Sequence, residues 1–344
     1  MLAGVQVAGL RRYERVALVA WDCLSAAGDA PAAWSACSNS VNATNATTAT
    51  ALQHEVELGW HGRVPLPAGD DRLLRLATTA ARRAWNVIAG QAGDLALGVS
   101  TSKGDPALWE RVLAGEPQWL IQALPGQLTP LLARALGCGP YQPAPVAAAC
   151  STGLYALLEC ADRIEDQRCE RALAGAADLS LTPLLIAGFR ALGVLCGDRR
   201  PQAFAEATGF APAEGAGIVA MGRDGPWRLV ASVRLGDARH ETEFRDPATL
   251  QHALDALWLA APKPDLIITH GTGTARGDVY ERAGLDAGPW RDVPRLNCKP
   301  VIGHCLGASA AVELALGLEA PVKCLWKLGL GFGGHLAAVA VERS

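Results

Sequence analysis

An α/β architecture with buried sheets is predicted by three features of this 344-residue chain. Short apolar runs alternate with amphipathic stretches from end to end, the pattern of strands covered by helices. Half of the residues are hydrophobic and 19% are charged, which supplies a large core and excludes global disorder. Both halves of the chain also set a reactive side chain where an apolar run meets a loop or helix.

The elements follow in order. Residues 15–22 (RVALVAWD) read as a strand leading into a turn of small residues, and 38–51 as a polar surface loop of low complexity. Residues 71–90 have helical periodicity, with Leu73, Leu76, Ala77 and Ala80 on one face and arginines opposite. DLALGVS (94–100) is a buried strand, and 127–137 is a helix ended by Gly137. PVAAA, at 145–149, reads as a short strand feeding a helix that starts near Ser151. Strands are expected at 170–180, 214–221, 227–235 and 265–271, with a helix at 247–260. A glycine-led helix (303–318) and a closing strand (335–342) complete the chain.

Bulk properties exclude several classes. A formal net charge of -3 argues against non-specific nucleic-acid binding, although it leaves room for a local basic patch facing an acidic partner. The first arginines follow the leading apolar stretch, unlike the order of a signal peptide. No run reaches the roughly 18 apolar residues a spanning helix needs. Ten cysteines without C-x-x-C or metal-ligand spacing read as reduced thiols in a cytoplasmic protein. The N-x-T sequons at Asn42 and Asn45 are then chance features of a polar tract.

Cys150 stands where PVAAA meets the following helix. A thiol at a helix N-terminus faces unpaired N–H groups and the positive dipole end, which favours thiolate. A buried structural cysteine is the competing reading, since free cysteine packs as a small hydrophobe. His270 ends an apolar strand and opens H-G-T-G-T, where glycines admit a ligand and threonines can bind it. His304 lies in K-P-V-I-G-H-C-L-G-A-S and opens a helix. Either histidine alone fits a turn-bonded role; with Cys150 they meet the pattern of thiol catalysis.

At this point the residues resemble the β-ketoacyl synthases, the condensing enzymes of the thiolase superfamily. VAAACSTGL resembles their nucleophile segment, and RPQAFAEATGFAPAEGAG their R-P-F…G-F…G-E-G-A-G stretch. THGTGTARGD and NCKPVIGHCLGASAAVE resemble the two histidine motifs, and GLGFGG the C-terminal glycine loop. The Cys-His-His set resembles that of elongating synthases. GLGFGG also fits G-x-G-x-x-G, but a strand follows it and the chain ends ten residues after Gly334, which excludes a dinucleotide site.

The resemblance implies a duplicated thiolase-like fold in five layers, α-β-α-β-α. It implies an N-terminal half, residues 1–225, with the nucleophile, and a C-terminal half, residues 226–344, with both histidine motifs, forming one compact unit. It implies acyl transfer to Cys150, then decarboxylative Claisen condensation with malonyl-carrier protein in fatty-acid or polyketide-type biosynthesis. In that scheme His270 and His304 hold the malonyl thioester carbonyl. The N–H groups of Cys150 and Phe332 form the oxyanion hole, and the Phe332 ring gates the acyl pocket. Thr272 and Thr274 bind the phosphopantetheine arm, Gly331 and Gly333 shape the substrate loop, and Lys299 with Glu313 orients the histidines. No metal or resident cofactor is implied; the partner is an acyl carrier protein, with a homodimer or a heterodimer with a related subunit.

Departures from the family's pattern bear on specificity. The chain is shorter than a typical elongating synthase, with about a dozen residues between the helix after His304 and GLGFGG. The family's N-S-F-G-F-G-G-T-N reads here as the run from Leu328 to Leu336, with His335 at the threonine position. Two other functions stay open: an acyltransferase or hydrolase using acyl-Cys150 without condensation, and a non-catalytic subunit shaping a partner synthase.

Overall fold

The computed structural model describes residues 7–41, 51–205 and 208–344, with the side chains of 40 and 41 excepted. Both sequons and most of the polar tract lie outside the described residues.

In chain order the first half comprises β1 (Leu10–Arg12), β2 (Ala17–Leu24), α1 (Ala30–Val41), the hairpin β3 (Gln53–Glu55) and β4 (Gly59–His61), α2 (Arg72–Ile88) and β5 (Leu95–Ser100). It continues with α3 (Pro106–Leu113), α4 (Leu120–Ala123), α5 (Leu128–Leu136), β6 (Gln142–Pro143), α6 (Thr152–Glu165), β7 (Arg171–Asp178), α7 (Pro183–Ala191) and β8 (Gly215–Gly222). The second half has β9 (Trp227–Gly236), α8 (Pro247–Ala260), β10 (Leu266–Ile268), α9 (Ala275–Ala287) and β11 (Arg295–Leu296). It closes with α10 (Lys299–Ile302), α11 (Ser309–Gly317), β12 (Cys324–Gly331) and β13 (His335–Arg343).

The strands form two equivalent runs, β2-β8-β7-β5-β6 and β9-β13-β12-β10-β11. A short antiparallel contact between β2 and β9 joins them, and β1 adds to β9. Strands β5, β7, β8, β12 and most of β13 are buried on both faces, which explains their continuous apolar sequences. Helices α6 and α11 touch strands of both runs and so lie between them. Every residue of α11 is buried, as a helix enclosed by sheets requires. Helices α2 and α5 cover the outer face of the first run, and α8, with α9 beside it, that of the second. The result is the five-layered α-β-α-β-α arrangement.

Gly153 of α6 and Gly217 of β8 allow α11 to approach closely. A Cβ at Gly153 would stand 2.6 Å from the Ala311 Cβ, and one at Gly217 2.2 Å from the Val312 nitrogen. Neither contact tolerates a side chain.

Two expectations change in detail. PVAAA is not a strand: β6 is two residues long and pairs only with Ala96 and Leu97. Pro143 and Pro145 flank Ala144 on this sheet edge, where each removes a ladder donor. The glycine loop is also shorter than its motif, because Gly329, Leu330 and Gly331 belong to β12 and the turn begins at Phe332.

Candidate active site

Cys150 sits in a single 3-10 turn, Ala149–Ser151, directly before α6. Ala149 holds φ at +46°, a left-handed conformation an alanine adopts only under tertiary constraint. The thiol's environment corrects one expectation. Burial pushes the Cys150 thiol up; Lys103 and Lys299 oppose this, while Asp178 and Glu313 add to it. Desolvation of this 8%-exposed residue outweighs the pull of the two lysines.

The two histidines come from the second half. Just beyond β10, His270 is anchored through its backbone: Glu281 of α9 accepts the His270 N–H at 2.6 Å and the Gly271 N–H at 2.7 Å. Its Nδ1 is buried without a hydrogen-bond partner among the described residues. His304 follows the turn at Gly303, and its Nδ1 pairs with Ser309 Oγ at 2.7 Å. The imidazoles stand edge to face, 5.8 Å between centroids. Burial holds both well below the usual histidine range, reinforced by Lys299 and Lys327 and, for His304, by Lys103. Both rings are therefore neutral at pH 7.

Cys150, His270 and His304 line one cavity of about 440 Å3. Thr272, Thr274, Gly331 and Phe332 line it too, and the two threonine hydroxyls are 2.9 Å apart. Its apolar wall includes Phe189, Phe210 and Leu306, which pack with Phe332. Gly331 lies against the nucleophile turn: a Cβ there would meet Ala148 O at 2.6 Å and the Cys150 nitrogen at 3.2 Å. Gly333 does not line the cavity, contrary to expectation; its N–H is committed to Glu241 O at 2.7 Å.

Lys299 and Glu313 lie behind the histidines. Lys299 Nζ donates to His270 O and to Glu313 Oε1, the latter at 2.7 Å. Glu313 also meets a lysine that the motifs do not mark. Lys327 Nζ is 2.8 Å from Glu313 Oε2 and donates to the carbonyls of Thr269 and Leu328. Sequence reading also passed over Lys103, whose ammonium lies 3.1 Å from Ser102 Oγ and 5.7 Å from the Phe189 ring centroid. Glu281 and Ser309 were missed as well. Glu281 follows His270 by eleven residues and Ser309 follows His304 by five, so each stood close to its partner in the sequence.

Among the described residues, no group of three or more His, Cys, Asp or Glu is arranged to hold a metal ion. None of their helices is long and apolar enough to cross a membrane. None of the ten cysteines, all among the described residues, is joined in a disulfide.

Family comparison agrees with this geometry. The β-ketoacyl synthase N-terminal domain matches residues 142–224 and its C-terminal domain residues 233–320. The chain belongs to the β-ketoacyl synthase family. The spectinabilin polyketide synthase system protein NorA' of Streptomyces orinoci is 32% identical over 204 residues, 53% of this chain and 5% of that protein. Polyketide synthase PksN of Bacillus subtilis is 30% identical over 213 residues, 54% of this chain and 4% of its own length. The chain thus spans a small part of these curated relatives. Solved ketosynthases share the fold. A chain of the AntDE:AntF structure, a type II polyketide synthase acyl-carrier protein in complex with its ketosynthase, superposes with a TM-score of 0.83 at 20% identity. That match covers 97% of this chain and all of that one. A β-ketoacyl synthase from Burkholderia phymatum gives 0.80 at 17% identity, over 96% and 100%.

Proposed function

We propose that this β-ketoacyl synthase catalyses decarboxylative condensation between an acyl group on Cys150 and a malonyl thioester delivered by an acyl carrier protein. One observation carries this reading: a buried thiol and two neutral imidazoles line a single cavity, together with the hydroxyls of Thr272 and Thr274 and an apolar wall.

In the first half-reaction the Cys150 sulfur attacks the acyl thioester carbonyl. The phosphopantetheine sulfur departs and takes up the thiol proton. The N–H groups of Cys150 and Phe332 stabilise the oxyanion, an arrangement supported by the close approach of Gly331 to the Cys150 nitrogen. Thr272 and Thr274 hold the arm. In the second half-reaction the malonyl thioester loses CO₂, and the electron pair of the broken C–C bond becomes an enolate. Neutral His270 and His304 donate to its oxygen; Ser309 at Nδ1 leaves Nε2 of His304 to carry that proton. The enolate carbon attacks the acyl-Cys150 carbonyl, a C–C bond forms, and the Cys150 sulfur leaves.

Acyl-carrier protein and malonyl-carrier protein supplied together, with CO₂ release and β-ketoacyl product both followed, test the reading. Both signals are expected from the wild type, and no β-ketoacyl product from Cys150→Ala, whose histidines can still release CO₂ from the malonyl thioester. Product formation by Cys150→Ala would refute it.

A further inference from the structure

Lys327 stands in β12, inside the apolar run CLWKLGLG, with every residue of the strand buried. The side chain is fully buried. Lysine is almost never found so deep unless its charge is used, because removing an ammonium from water costs several kcal/mol. Here the charge has three partners: Glu313 Oε2 at 2.8 Å, Thr269 O at 3.0 Å, and Leu328 O. Thr269 directly precedes His270, and the His270 carbonyl is held by Lys299. Two ammoniums bridged by one carboxylate thus grip consecutive carbonyls, 269 and 270, of the segment that delivers His270.

We propose that Lys327 is a second positioning residue of the condensing site, fixing His270 together with Lys299. The inference rests on the function proposed above and goes beyond it, because Lys299 with Glu313 would already satisfy the charge balance. Their pairing at 2.7 Å leaves Glu313 partnered without Lys327. A purely structural role gains little from a second buried cation, which an apolar side chain of similar volume replaces at little cost.

The surrounding charges set the sign of the test. His270 is faced by Lys299, Lys327 and His304, and Glu281 accepts its backbone N–H. His304 is faced by Lys299, Lys103 and Lys327, with Ser309 on its Nδ1. Glu313 joins the two lysines from α11, and Cys150 with buried Asp178 completes the cluster. Removing one cation eases protonation of either ring, so the acid limb of the condensation profile moves to higher pH.

Lys327→Met and Lys327→Gln separate the contributions, since glutamine keeps a donor for the Thr269 carbonyl without charge. Both variants are expected to acylate Cys150 within about twofold of wild type, because that step needs no histidine donor. Both should lose at least about tenfold in condensation kcat at pH 7 with little change in KM, and shift the acid limb up by about one pH unit. Glutamine should recover part of kcat and none of the pH shift. Wild-type kcat and an unmoved acid limb in either folded variant would overturn the inference. A wild type that acylates but never condenses would instead overturn the function on which it rests.

Discussion

His270 and His304 meet edge to face at 5.8 Å although they stand 34 positions apart in the chain. One ring is fixed through its backbone by Glu281 and Lys299, the other through its Nδ1 by Ser309. Two differently anchored rings thus converge on one cavity, and each can be removed independently.

His270→Ala and His304→Ala should separate the half-reactions. Either change is expected to cut malonyl decarboxylation by about 10²-fold or more, as loss of an oxyanion donor does elsewhere. Acylation of Cys150 should stay within several-fold of wild type. Rapid-quench assays of each step give the readout; equal loss in both steps would contradict the assigned division.

Ser309→Ala tests the tautomer. Without the 2.7 Å partner at Nδ1, no hydrogen bond sets which nitrogen of the His304 ring carries the proton. Condensation kcat is expected to fall about tenfold, with KM for the malonyl thioester nearly unchanged.

Stability should carry a histidine signature. Both imidazoles are held below the usual range of about 6.5, and the unfolded chain restores that value. Above about pH 6.5 neither state binds these protons. Below it the unfolded state binds protons that the folded state refuses, so stability falls as pH falls. The dependence reaches up to about 1.4 kcal/mol per imidazole per pH unit. Urea denaturation at pH 7.5 and 5.5 isolates it as the difference between wild type and His270→Gln/His304→Gln, which should lose less stability on acidification.

Gly331→Ala should be costly in place. A Cβ 2.6 Å from Ala148 O forces β12 away from the nucleophile turn. Destabilisation of about 1–3 kcal/mol is expected, with loss of Cys150 acylation at temperatures where the variant remains folded.

The legible parts of this site are those encoded locally. Glycines around His270 and His304 and the strand-to-helix turn at Cys150 point to chemistry because backbone access and reactive side chains sit side by side. The alternation of strands and helices likewise made the α/β architecture with buried sheets legible, while the five layers came from the family resemblance. Features that depend on distant packing were not legible. Lys327 looks in sequence like a lone charge in an apolar run; only the approach of α11 supplies Glu313. The upward push on Cys150 is a property of burial, invisible beside the local signal of a helix end. The strand expected at PVAAA failed because a short apolar run signals a strand without revealing that it lies at a sheet edge, where Pro143 and Pro145 remove ladder donors.

Intact-protein mass spectrometry of the chain, incubated with acyl-carrier thioesters and then with malonyl-carrier protein, tests the central claim most directly. The account predicts an acyl adduct on Cys150 that disappears on malonyl addition, with one CO₂ released per adduct lost. An adduct that persists, or one located on another cysteine, would contradict it.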